Sequence, residues 1–139
     1  MAEVNKKPVE ELIFNHNLYY YHEHTWARIE DNKVTVGITD YAQDQLGEII
    51  FIELPAAGEE FGQGDVFGQA ESAKTVSALY MPVSGKILAV NEELEDDPEI
   101  VNTDPYGAGW MIAVEIKDAA ELEKLLTKDA YLNLLVENQ

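Results

Sequence analysis

The stretch Gln69, Ala70, Glu71, Ser72, Ala73, Lys74, Thr75, Val76, Ser77, Ala78, Leu79, Tyr80 decides how the rest of the chain is read. Lys74 is the only basic residue between Lys33 and Lys86. Val66 and Phe67 before it, and Val76, Leu79 and Tyr80 after it, are strand formers, while small residues crowd the lysine itself. The pattern predicts two strands meeting at a tight turn near Lys74. Such a turn presents one ammonium to solvent, away from any core. An exposed lysine is ordinarily just a solvated charge; the isolation of this one in an acidic chain is what calls for another reading.

Working outward, 139 residues suit one domain with a real core, and 46% hydrophobic content is too high for wholesale disorder. The formal net charge of −18 sets the surface against DNA, RNA and anionic membranes, and asks for partners with basic surfaces or basic pockets. With no cysteine there is no disulfide, thiolate nucleophile or cysteine-bound metal. The start of the chain lacks an apolar signal segment and an arginine-rich amphipathic stretch, so a cytoplasmic protein is expected. Residues 1–15 read as an extension with a mobile start and a short docked segment, and residues 16–139 as a single domain.

Strands are expected at residues 18–21, 25–29 and 33–38, with Asp31 and Asn32 turning between the last two. Val34, Val36 and Ile38 alternate with Lys33, Thr35 and Gly37, the period of a strand with one buried face. Thr39 is a candidate helix N-cap, Asp40 suits the positive end of the helix dipole, and Gly47 stops the helix, with Tyr41, Ala42 and Leu46 facing inward. A buried strand is expected over residues 48–54, then an exposed loop carrying Glu59, Glu60, Gly62, Gly64 and Asp65. The acidic run around Leu94 and Ile100 reads as a solvated face, with a helical turn starting at Asp97 and a turn at Asp104, Pro105, Tyr106 and Gly107. Asp118 with Glu121 three residues on forms a capping-box-like start for a helix bearing Leu122, Leu125 and Leu126. A last helix from about Lys128 is expected to turn Tyr131, Leu132, Leu135 and Val136 inward. His16, His22 and His24 lack the convergent partners a bound zinc requires, so no metal site is expected.

A faint internal repeat runs through the middle. Gly47, Glu48, Ile49, Ile50, Phe51, Ile52 is echoed by Gly85, Lys86, Ile87, Leu88, Ala89, Val90, and Gly64 with its strand by Gly109 and the strand after it. The spacing predicts two similar halves across a small β-sandwich, with the Lys74 hairpin near their junction.

The residues from Gly68 to Gly85, with Glu71, Ser72, Lys74, Tyr80, Pro82, Val83 and Ser84, resemble the lipoylation site of the glycine cleavage H-protein family. Biotin carriers flank a similar lysine with methionines; Ala73 and Thr75 stand there here, which argues for lipoate. The resemblance extends from about Leu18 to Leu135. It takes in Val36 to Gln43, Leu46 and Gly47, Phe51 to Pro55, and Asn102, Asp104, Pro105, Tyr106, Gly107, Gly109 and Trp110. General lipoyl domains share the hairpin but not these flanking runs.

What the resemblance implies is a mainly β fold, the barrel-sandwich hybrid of lipoyl and biotinyl domains with its hammerhead-like two-fold, short helices and C-terminal helices. It implies a monomeric carrier rather than an enzyme, and no serine–histidine–acid set, phosphate loop or metal motif in the chain speaks for catalysis. Lys74, within the motif Glu71, Ser72, Ala73, Thr75, would be linked to lipoate by a lipoate ligase or lipoyl transferase. The arm would serve glycine decarboxylase, the aminomethyltransferase and dihydrolipoyl dehydrogenase. A surface cleft holding the arm is implied at His24, Thr25, Gln45 and Ala78. Two departures stand out: many family members have a glutamate where this chain has Thr25, and an acid where it has Ala78. They keep open a second reading, a similar lipoyl carrier for another redox or sulfur-transfer complex.

Overall fold

Val34, Val36 and Ile38 are buried along strand β3 (Lys33–Ile38), which pairs antiparallel with β2 (Thr25–Glu30) through the turn at Asp31, where φ is 57°. The computed structural model describes residues 7–137. Across β2, Trp26 lies opposite Gly37, and a Cβ at Gly37 would stand 2.7 Å from the indole, so only glycine lets the ring lie flat on the strand. Seven further strands follow among the described residues: β1 (Tyr19–Tyr20), β4 (Ile49–Glu53), β5 (Glu60–Phe61), β6 (Val66–Ser72), β7 (Val76–Tyr80), β8 (Gly85–Val90) and β9 (Ile112–Ile116). They form a six-stranded sheet in the order β1-β2-β3-β9-β8-β5 and a three-stranded sheet in the order β4-β6-β7. The mainly β expectation holds.

The repeat is real and is swapped. β3, β4 and β6 form one unit and β7, β8 and β9 the other, so that, β1, β2 and β5 aside, each sheet takes two strands from one unit and one from the other. Ile49 pairs with Ser72 and Phe51 with Glu71; Ile87 pairs with Val114 and Ala89 with Ala113. In both ladders one residue is extra, Ile50 in β4 and Leu88 in β8, so the two halves share a β-bulge at the same place. The β6–β7 turn that carries Lys74 is the junction between the units.

The main core lies between the sheets, where Val34, Val36, Ile49, Ile52, Ala70, Leu79, Met81, Ile87, Met111 and Val114 are buried together. A second cluster caps one end: Leu18, Tyr20, Trp26, Tyr106, Tyr131 and Leu135, with Tyr20 and Tyr131 stacked at 4.9 Å. Burying each large apolar side chain contributes about 1.5–3 kcal/mol. Helix α1 (Asp40–Leu46) starts as expected: Thr39 accepts from the Ala42 amide at 3.1 Å, and Gly47 ends it at a φ of 82°. The Asp40 carboxylate accepts from the Ile13 amide and the Gln43 side chain, while the Tyr106 hydroxyl accepts from the Asp40 amide and donates to the Ile13 carbonyl. These bonds dock the N-terminal segment, whose short turn Val9–Glu11 buries Val9 and Leu12. The mobile start expected for residues 1–6 lies outside the described residues.

Five expectations are corrected. The strand at residues 48–54 is not buried throughout, because the bulge breaks its alternation and leaves Ile50 and Phe51 exposed. The loop before β6 contains β5, which pairs with β8. Asp118 caps as expected, accepting from the Ala120 amide, but Ala119–Lys124 is a 3-10 helix. Glu121 does not close a capping box; it accepts from the amide and hydroxyl of Ser84 instead. In α4 (Lys128–Glu137), Tyr131 and Leu135 point inward but Val136 is exposed. Between β8 and β9 run two short helices, α2 (Glu93–Asp96) and α3 (Ile100–Thr103), so helical structure begins before Asp97.

Candidate functional site

The hairpin turns tightly because Ser72 donates its amide to the Thr75 carbonyl at 2.9 Å, leaving Ala73, Lys74 and Thr75 exposed at the tip. The Lys74 side chain lies toward the end of α1: a Cβ at Gly47 would stand 3.9 Å from Lys74 Cε. Glu71 faces outward in a row with Phe51 and Val76. Ser72 faces the core, and its buried hydroxyl has no hydrogen-bond partner among the described residues.

Beside the hairpin is a cleft of about 260 Å³. Its walls are Glu23, His24 and Thr25 from the turn into β2, Tyr41, Ala42 and Gln45 from α1, and Val76, Ser77 and Ala78 from β7. His24 and Thr25, Gln45 and Ala78, from three separate segments of the chain, thus line one cleft. Thr25 is nevertheless almost fully buried, and its hydroxyl donates to the Tyr80 carbonyl at 3.1 Å, tying β2 to β7. Of the residues lining the cleft, Glu23 alone is acidic.

His24 is held from behind. Its φ of 75° turns the ring inward, where Nδ1 lies 2.7 Å from the Tyr131 hydroxyl; that hydroxyl is 2.9 Å from Thr39 Oγ1. Thr39 Oγ1, the Tyr131 hydroxyl and His24 Nδ1 thus form one hydrogen-bonded chain, anchored at its far end by the Ala42 amide, which donates to Thr39. Burial lowers the pKa of His24, opposed by the charge of Glu23 and reinforced by His22, so the imidazole stays neutral at neutral pH. Burial also raises the pKa of Tyr131. The three histidines go to separate neighbours: His16 lies near Lys128, His22 near Glu23 and His24 against Tyr131.

Other residues of the resemblance serve the frame. Asn102 receives the Ile49 amide and donates to Gln43 and the Gly47 carbonyl, fixing both ends of the link from α1 to β4. Trp26 donates to the Pro105 carbonyl at 3.0 Å, with the Arg28 guanidinium over its ring. The sequence reading named Glu23 and Glu71 as acids that could stand in for the missing carboxylates, and of these Glu23 lines the cleft; it did not pick out Tyr41 or Tyr131 there, and nothing local marks Tyr131, which lies 107 residues from its partner.

Two swapped β-repeats that meet at a tight hairpin, closed at one end by helices, define the fold class of the lipoyl- and biotinyl-type carrier domains. Comparison makes the class specific. The glycine cleavage H-protein family matches residues 18–138. A glycine cleavage system H protein of Staphylococcus epidermidis is 55% identical over 118 residues, covering 85% of this chain and 94% of that protein. One of Staphylococcus saprophyticus is 52% identical over 120 residues, covering 86% and 95%. The crystal structure of a Mycobacterium marinum glycine cleavage system H protein superimposes with a TM-score of 0.80 at 37% identity, covering 88% of this chain and 99% of that one. The chain belongs to the glycine cleavage H-protein family, the lipoyl carriers of the glycine cleavage system. No helix among the described residues is long and apolar enough to cross a membrane.

Proposed function

We propose that Lys74 carries lipoate in amide linkage and that the protein shuttles the aminomethyl group of glycine between the decarboxylase, the aminomethyltransferase and dihydrolipoyl dehydrogenase. The observation that carries this reading is the family match across residues 18–138, within which a single exposed lysine sits at the tip of the β6–β7 turn. It favours the glycine cleavage system over another redox or sulfur-transfer complex. The residues present fit the group: Lys74 is exposed at the hairpin tip, flanked by the exposed Ala73 and Thr75. Lipoate supplies a disulfide that opens to hold the transferred group.

The chain itself contributes the tether and a resting place. A tether raises local concentration at each client and keeps the cargo from bulk water. In the cleft, Leu46 and Val76 offer apolar wall, His24 offers a neutral imidazole, and Glu23 offers a carboxylate to a cationic cargo. Glu23 thereby takes the part that carboxylates at positions 25 and 78 play in other family members.

The test is acceptance of cargo. Lipoylated protein incubated with glycine and its decarboxylase is expected to gain the mass of one aminomethyl group. Lipoylated protein that gains no mass, with a decarboxylase active on another H protein, would return the alternative carrier reading.

A further inference from the structure

In the cross-strand row beside the bulge, the outer face of the three-stranded sheet exposes large apolar side chains where its repeat mate does not. Phe51 is 48% exposed and Val76 55%, and the register sets them on either side of Glu71 in one cross-strand row. Residues directly opposite in such a row share a face. Ile50, the extra residue of the bulge, is 56% exposed next to them. In the other unit the equivalent row is Ala89, Ala113 and Thr35. The same backbone therefore carries a phenylalanine and a valine on the lysine side and an alanine and a threonine on the other. Folding does not require this difference, since one backbone is built with both sets.

The row begins one residue beyond the Ser72–Thr75 turn, so it adjoins Lys74 directly. Acids are interspersed with it: Glu71 stands within the row, and Glu53, Glu92 and Glu95 line the groove of about 310 Å³ that Phe51 shares with α2. Apolar side chains set among acids fit an apolar surface that carries basic groups.

Distance selects the occupant. A client that acts on the far end of a lipoyl arm can stand an arm's length from the hairpin. An enzyme that acylates the lysine must bring its own reacting carbon to Nζ, and so must cover the strands on which Lys74 sits. In that step the neutral amine attacks the carbonyl carbon of an activated acyl group. The C–N amide bond forms, the activating group leaves with its bonding pair, and the amine gives up a proton. We propose that Phe51 and Val76, with Glu71 between them and Ile50 beside them, are the recognition surface for the enzyme that acylates Lys74. The proposal rests on Lys74 being the lipoylated residue.

Lipoate ligase with ATP and lipoate is the probe, and intact mass reads the product. Phe51→Ala is expected to raise the KM for the unmodified protein about tenfold, as loss of an aromatic anchor does, with kcat within about twofold. Val76→Thr should raise it about threefold. Leu88→Ala, at the equivalent bulge and 46% exposed, should leave KM unchanged. Binding of the Lys74→Arg protein to the ligase, read by fluorescence anisotropy, should weaken on adding Phe51→Ala to the same degree. Equal KM values for wild type and Phe51→Ala, or equal losses in Phe51→Ala and Leu88→Ala, would overturn the proposal. So would a Phe51→Ala effect confined to reoxidation by the dehydrogenase. A wild type left unmodified by a ligase active on another H protein would instead overturn the lipoylation of Lys74.

Discussion

Strands β4, β6 and β7 and strands β8, β9 and β3 share pairing, register and a bulge, yet they are finished differently. At the equivalent inward position the first set has Ser72, with an unpartnered hydroxyl, and the second has Val114, fully buried. At the equivalent outward row the first has Phe51, Glu71 and Val76, and the second Ala89, Ala113 and Thr35. One half is finished as core and the other as a working surface, which teaches that a shared backbone carries the fold while departures from symmetry mark the site.

The largest effect expected is all or none. Lys74→Arg should keep the melting temperature but abolish acylation, because arginine offers no acylatable amine under these conditions. Lys33, at the equivalent strand start, pairs with Glu115 and should stay unmodified in both proteins. An undiminished adduct on the mutant would break the comparison at its centre.

The next contrast is in the core. Val114→Ser places a hydroxyl among apolar neighbours and removes a methyl group, and should cost about 3 kcal/mol in urea unfolding. Ser72→Ala removes a hydroxyl already unsatisfied and should leave stability unchanged or raise it by about 1 kcal/mol. A Ser72→Ala protein less stable than wild type would show that the hydroxyl is paired in solution.

A smaller effect concerns the cleft. Glu23→Gln should shorten the lifetime of the aminomethyl adduct, followed by mass spectrometry without partner enzymes, by up to about fivefold, the worth of an exposed ion pair. Ala78→Asp, which adds a carboxylate across the cleft, should lengthen it by a similar factor. Equal lifetimes in all three proteins would mean that the loaded arm does not rest there.

The smallest effect is a pH dependence. The folded pKa of His24 is lowered, so below the ordinary value of 6.5 the unfolded chain binds more protons. Its contribution to stability is present above that value and is lost as pH falls toward the folded pKa. Wild type should therefore lose more melting temperature than His24→Asn between about pH 7.5 and about pH 5.5. Asparagine tolerates the positive φ and offers an oxygen to Tyr131. Parallel curves for the two proteins would put the titration elsewhere.

Much of the frame was legible because it rests on local rules. The alternation at residues 33–38, the Thr39 cap, the Gly47 stop and the turn at Lys74 each follow from residues within a few positions. The repeat was legible because Ile49 and Ile87 fill matching places in the core. What escaped depends on distant partners. Glu121 left its capping box for Ser84, and Phe51 came to the surface because an extra residue shifted the ladder. Glu60 and Phe61 became a strand only because β8 was there to pair with them. His24, Thr25, Gln45 and Ala78 were grouped by the resemblance and not by any local pattern, and the contact of His24 with Tyr131 comes from a helix that nothing near His24 announces.

The swapped repeats have one more consequence. β6 runs into β7 through a covalent turn, but the matching ends of β9 and β3 are not joined; they only approach, with the Ile116 amide donating to the Asn32 carbonyl. Among the described residues, a fold with two-fold symmetry in its strands thus has one place where the backbone doubles back between the repeats. On the function proposed above, each molecule is a vehicle with one seat, and a second would require rewiring the chain so that β9 leads directly into β3.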